Sequence, residues 1–234
     1  MIRWENAPGP YEVVFSTREG GVSEGPFASL NLGRATADEP ERVDENRRRL
    51  CAEVGADPAA LAMNYQHHST DVLQARPGAR GDRGDGLWTD QAGLPVLALA
   101  ADCLPIALVR ANGSKPALAV LHAGWRGLLG GIAASGIRAL GGGPVAAMIG
   151  PGIGPCCYEV REEVAAPFRE SFGDDILHGR NLDLWSAAER ALRAVGCTQV
   201  DRVDLCTACT PGRFFSHRRD NGLTGRQGVL GLIG

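Results

Sequence analysis

With 234 residues, 44% of them hydrophobic, and a formal net charge of -3, the chain can bury one substantial core and lacks the basic footprint that nucleic-acid binding needs. Its composition shifts nowhere abruptly, so residues 1–234 are read as one domain, with the scattered basic residues, all arginine but Lys115, ascribed to GC-rich coding. Met1 to Asn6 lacks the apolar core of a secretory signal, and the apolar run Ala92 to Ala101 is about half a membrane span. A soluble, cytoplasmic protein with neither membrane nor nucleic acid as partner is expected. Seven cysteines are an odd number, and neighbours Cys156 and Cys157 would pair only with strain, so the thiols are expected to be reduced.

In chain order, Tyr11 to Ser16 reads as a strand running into the glycine turn Thr17 to Ser23. Asp38, Pro40 and Glu41 start a helix whose apolar face, Val43, Leu50, Cys51 and Val54, ends at Gly55 and which carries Asn46-Arg47-Arg48-Arg49. Asp57-Pro58 starts a short second helix, Val72 to Ala75 is a strand, and Arg76 to Gly86 is expected to be a mobile loop of Gly, Arg and Asp. The apolar segments Leu94 to Val109, broken by Asp102-Cys103, and Pro116 to His122 are too continuous for one face to meet water, so both should be central strands covered by helices. Leu128 to Leu140 reads as a helix, Val145 to Ile149 as a strand, Tyr158 to Phe172 and Leu182 to Val195 as helices. Val200 to Leu205, Phe214 to His217 and Val229 to Ile233 read as strands.

His122 closes a buried-looking strand just before a glycine turn, Cys103 interrupts another, and Gln66-His67-His68-Ser69 lies upstream. His68, Cys103 and His122 meet the donor count of a catalytic zinc with one open position, although ligands on three separate segments have no diagnostic spacing, and buried, hydrogen-bonded side chains are the competing explanation. His67 competes with His68, because neighbours on an extended segment face opposite ways. A cysteine nucleophile with His122 as its base is a further possibility, one that needs an orienting Asn or Asp where a metal needs another His. Cys206-Thr207-Ala208-Cys209 has the gap of a zinc knuckle or redox pair, but no second ligand pair follows it, so a structural role is expected. His217, beside Arg218 and Arg219, is assigned to the surface or to a supporting position. Gly150 to Gly154 is read as a tight turn rather than a phosphate loop, since two prolines remove donors and no Walker lysine is present. Arg18, Arg47 and Arg126 are the better anion candidates.

Several motifs in one order carry a family resemblance. They are Phe15 to Ser23, Ser29 to Gly33, Ala101-Asp102-Cys103-Leu104-Pro105-Ile106, His122-Ala123-Gly124-Trp125-Arg126-Gly127, Ile149 to Gly154 with Cys156 to Val160, and Phe214 to Asp220 with Thr224-Gly225-Arg226. Together they resemble the YfiH-like family, once labelled multicopper polyphenol oxidase or laccase domain and described as purine nucleoside phosphorylases with adenosine deaminase activity. The resemblance implies an α/β (α+β) fold of mixed β-sheets layered with helices, similar to the catalytic domain of cytotoxic necrotizing factor. It also implies zinc, with copper as the alternative, held by His68, Cys103 and His122 as metal ligands and catalytic residues. Ser69 stands where the family usually has Gly, and Gln66 marks His68 as the ligand.

A laccase needs a multi-copper cluster rich in imidazole, and the chain has five histidines in all. The expectation is therefore phosphorolysis of a purine nucleoside by inorganic phosphate, with metal-assisted deamination of adenosine and no organic cofactor, in a monomer or weak homo-oligomer. Arg47 and Arg18 are expected to offset phosphate charge and Asn31 to contact sugar or base. The alternatives are a Cys-His amide hydrolase acting on cell-wall precursors and a non-catalytic zinc-binding interaction module.

Overall fold

The computed structural model describes residues 1–111 and 115–234. Its centre is a pair of six-stranded mixed sheets. The first runs, edge to edge, through the strands Ile2–Arg3, Tyr11–Phe15, Gln227–Ile233, Val96–Ala100, Ala62–Tyr65 and Arg80–Arg83. The second runs through Cys197–Arg202, Val145–Ile149, Leu104–Arg110, Leu118–Ala123, Gly86–Thr89 and Val72–Gln74.

Alternation along the strands assigns the layers. From Leu104–Arg110, Ala107 and Val109 join Val13, Phe15, Val96, Val229 and other side chains of the first sheet in a core between the two sheets. Leu104, Ile106 and Leu108 face the other way, into a core with the helices Trp125–Gly130, Ile132–Ala139, Glu162–Phe172 and Leu184–Ala194. The outer face of the first sheet, with Val14, Leu97 and Leu230, packs on Leu50 and Cys51 of the helix Pro40–Ala52. Strands covered on both faces need apolar residues at every position, which explains the unbroken hydrophobic runs.

The run Leu94 to Val109 is two strands in different sheets. Val96–Ala100 pairs with Gln227–Ile233 in the first, Leu104–Arg110 with Leu118–Ala123 in the second, and Ala101-Asp102-Cys103 makes the crossing. Asp102 makes it with φ +88°, a left-handed conformation costing roughly 1–2 kcal/mol for a residue with a Cβ and easier for Asp than for most.

Several expected elements differ in detail. Arg76 to Gly86 is not a simple loop: Arg80–Arg83 forms an edge strand exposed at every position, so it has no apolar periodicity to read. Asp57-Pro58 starts a turn instead of a helix, with the Asp57 side chain accepting from Ala59 N at 2.9 Å before the chain enters a strand. Leu128 to Leu140 is broken at Gly131, which has φ +90°. The helix expected from Tyr158 begins at Glu162. Phe214 to His217 forms no strand, because the Gln227 side-chain amide both donates to Phe215 O and accepts from Phe215 N, in place of a ladder partner. Asp38 does not cap the helix. Its carboxylate accepts instead from Ser23 Oγ and Asn31 Nδ2, and Pro40 opens the helix at its first position.

Candidate metal centre and its cavity

The crossing between the sheets creates the site. Leu104 pairs with Ala123 and Pro105 with His122, so the residue just before one strand and the penultimate residue of its neighbour, Cys103 and His122, lie at the same sheet end. His68 reaches them from the connection between Ala62–Tyr65 and Val72–Gln74. The donor atoms of His68, Cys103 and His122 all lie within 4.8 Å of one another. The Cys103 sulfur is 3.9 Å from His68 Nε2, and the two imidazoles meet edge to face with centroids 5.0 Å apart.

His68 points there because its backbone is not extended: its φ is +65°. Two side chains hold the turn. Gln66 donates to Leu99 O at 2.7 Å and accepts from Leu99 N at 2.8 Å, fastening the segment to the first sheet. Asp85, 1% exposed, accepts from the backbone N–H groups of His67, His68 and Ser69, from the Ser69 hydroxyl at 2.8 Å and from His122 Nδ1 at 2.8 Å. Ser69 thus adds a hydrogen bond that glycine could not make. Burial alone would raise the Asp85 carboxyl pKa, but the His122 and Ser69 bonds outweigh it and hold the group well below the carboxylate range. His67 leaves its Nδ1 without a hydrogen-bond partner, 3.6 Å from Asp85.

With Nδ1 engaged by Asp85, His122 has Nε2 for the cluster, the carboxylate–histidine arrangement that orients metal ligands. Burial opposes charge on both Cys103 and His122. Their mutual attraction, with Asp85 behind the imidazole and His68 beside the sulfur, nonetheless favours thiolate and imidazolium. Gly124 keeps the centre open, since a Cβ there would sit 2.9 Å from the Cys103 sulfur and 3.1 Å from His68 Cδ2. Two imidazoles and a thiol that ionises readily are a donor set suited to zinc or copper.

The cluster lies on a cavity of about 730 Å³, within the range of roughly 300–1,000 Å³ for small-molecule sites. Trp125, Tyr158, His217 and five arginines, Arg34, Arg47, Arg80, Arg218 and Arg226, share its wall. Burial first, then the neighbouring Arg80 charge, lowers the Arg47 guanidinium to about 10. Its Nε and Nη2 donate to Leu32 O, and Nη1 has no hydrogen bond among the described residues.

Asn31 and Arg18 are not in that wall. The fully buried Asn31 amide donates to Thr36 and Asp38 and accepts from Gly33 N and Arg226 N, so its hydrogen-bonding capacity is used within the protein. Arg18 donates to Ala28 O and Pro211 O and stacks on Phe215. Arg126 stacks on Trp125, also outside the cavity lining. Gly150, Gly152 and Gly154 serve packing: a Cβ at each would strike Phe15, Leu104 or Trp185 at 2.1 to 2.4 Å.

Sequence reasoning assigned no role to Asp85, Tyr158 or Arg226 and used Gln66 only to mark His68. Tyr158 and Arg226 stood in quoted motifs, whereas Asp85 was hidden in the polar stretch expected to be a loop.

A family model described as multi-copper polyphenol oxidoreductase laccase matches residues 12–233. The chain belongs to this family, the YfiH family. It is 37% identical to a purine nucleoside phosphorylase of Pseudomonas aeruginosa, over 94% of this chain and 92% of the relative. It is 38% identical to the purine nucleoside phosphorylase YfiH of Escherichia coli, over 90% and 89%. Among solved structures, YlmD of Geobacillus stearothermophilus superposes with TM-score 0.88 at 32% identity, covering 97% of this chain and 93% of that one. A Neisseria meningitidis protein gives the same TM-score at 34% identity, over 97% and 96%. Among the described residues no helix is long and apolar enough to cross a membrane.

Proposed function

We propose that the chain is a zinc-dependent purine nucleoside phosphorylase that also deaminates adenosine. One observation carries the reading: a His-Cys-His centre opens into a cavity whose wall also holds aromatic rings and five arginines. The names of the relatives agree with its phosphorylase part. A phosphate oxygen bonds to C1′ of the ribose as the C1′–N9 bond breaks, giving free base and ribose 1-phosphate. Arg47 and Arg226 offset phosphate charge, as guanidiniums do in sites closed to water. Trp125 and Tyr158 offer aromatic faces to the purine. Asn31 and Arg18 act through the loops they hold, Asn31 by fixing the Arg226 backbone. Asp85 keeps the Nδ1 proton of His122, so that Nε2 presents its lone pair to the centre. When bound, zinc would supply Lewis-acid chemistry, polarising the purine or activating water for loss of the 6-amino group. Adenosine, inosine, guanosine and 5′-methylthioadenosine are the candidate substrates.

A second reading has its own support. Cys103, His122 and Asp85 stand in the order of a nucleophile, its base and an orienting carboxylate, as an amide hydrolase acting on cell-wall precursors would need. The presence of His68 at 3.9 Å from the sulfur favours the metal. Incubating metal-quantified protein with adenosine or inosine, with and without phosphate, and chromatographing the products separates the two. Phosphate-dependent release of base supports the phosphorylase. Metal-independent, alkylation-sensitive cleavage of a peptide amide would replace it.

A further inference from the structure

Cys206 and Cys209 do have a second pair, supplied from upstream in the chain. Of seven cysteines, Cys103 belongs to the cavity and Cys51 and Cys197 are buried separately. The other four, Cys156, Cys157, Cys206 and Cys209, gather with every sulfur within 4.8 Å of the others. Cys209 Sγ is 3.2 Å from Cys156 Sγ and 3.1 Å from Cys157 Sγ. Four sulfurs around zinc, each at about 2.3 Å, form a tetrahedron with edges of about 3.8 Å; the two close pairs lie somewhat inside that value and all four sulfurs within 4.8 Å of one another.

The backbone is arranged for thiolates. Gly154 N donates to Cys206 Sγ at 3.2 Å. A dication suits this cluster, because coordination deprotonates a thiol outright and four converging sulfurs can surround one ion.

We propose that Cys156, Cys157, Cys206 and Cys209 bind one zinc ion as a closed, structural tetrathiolate site. All four positions are filled by protein, which leaves none for substrate. Its work is to fasten two turns. Gly152 bridges Cys206, and Thr207 N donates to Gly152 O at 3.1 Å. Thr207 Oγ1 then donates to Asp102 Oδ1 at 2.6 Å, and Ile153 N to Asp102 O at 2.8 Å. Ile153 and Tyr158 line the cavity, so the clamp sets the wall beside Cys103.

Elemental analysis of the untagged full chain, purified with reductant and without added metal, tests the proposal apart from the cavity centre. In the Cys103→Ala background the proposal expects one zinc per chain, lost when Cys206→Ser and Cys209→Ser are added. It also expects cobalt-substituted Cys103→Ala to show intense sulfur-to-metal charge-transfer bands. Should the triple variant not fold, alkylation decides: four thiols of Cys103→Ala must be protected until a chelator is added. A metal-free Cys103→Ala protein whose Cys156, Cys157 and Cys209 all alkylate at once, without chelator, overturns the proposal. So does a Cys156–Cys209 or Cys157–Cys209 disulfide in protein isolated without oxygen. The Cys103→Ala result stands whether or not the cavity centre binds metal.

Discussion

The two sulfur-bearing clusters of this molecule differ in donors, exposure and surroundings. His68, Cys103 and His122 mix nitrogen with sulfur, come from three distant segments, and open into the cavity with Asp85 behind them. Cys156, Cys157, Cys206 and Cys209 are all sulfur, come from two turns already joined by backbone hydrogen bonds, and lie outside the cavity lining. Three protein donors beside a cavity leave room for chemistry, whereas four close a site. The pairing therefore separates a reacting centre from a clamp, and variants at each should fail in different ways.

The largest effect is expected at the open cluster. Cys103→Ala or His122→Ala should lower kcat/KM for phosphorolysis on the order of 1,000-fold, the several kcal/mol that a Lewis-acid centre supplies. Metal at the four-cysteine cluster should stay, and metal analysis beside the assay checks both. Asp85→Asn keeps the shape but loses the charge behind His122, and a drop of about 10- to 100-fold in metal affinity or activity is expected from titration with a competing chelator. Arg47→Ala should raise the KM for phosphate about tenfold, the loss of one charge-assisted contact, with the KM for nucleoside moving less. An unchanged phosphate KM would put the anion elsewhere on the wall. Cys209→Ser should change kcat/KM least of the four but lower Tm by roughly 5–10 °C, corresponding to about 3 kcal/mol. If it instead abolished turnover without a thermal shift, the division between centre and clamp would be wrong.

The same contrast explains what the sequence could reveal. Strands buried on both faces announce themselves by continuous apolar residues, so Leu104–Arg110, Leu118–Ala123 and Val145–Ile149 were legible, as were the helices around Leu50 and Trp185. The exposed edge strand Arg80–Arg83 carries no such pattern, and with it Asp85 disappeared into a polar stretch. His68, Cys103 and His122 could be singled out by residue type and by motif, but only the crossing between sheets shows why they meet. The four-cysteine cluster was missed for a simpler reason. A ligand pair was sought downstream of Cys209, while the fold brings it from fifty residues upstream through a parallel bridge between Gly152 and Cys206. Asn31 and Arg18 stand in conspicuous motifs, yet their hydrogen bonds are spent on the protein itself.

The most direct test of the account is phosphate-dependent release of hypoxanthine from inosine by wild-type protein and by Cys103→Ala, with folding matched by circular dichroism. The account predicts base and ribose 1-phosphate from the wild type only when phosphate is present, and almost none from the variant. Undiminished release by Cys103→Ala would place the chemistry outside the His68–Cys103–His122 centre and contradict it.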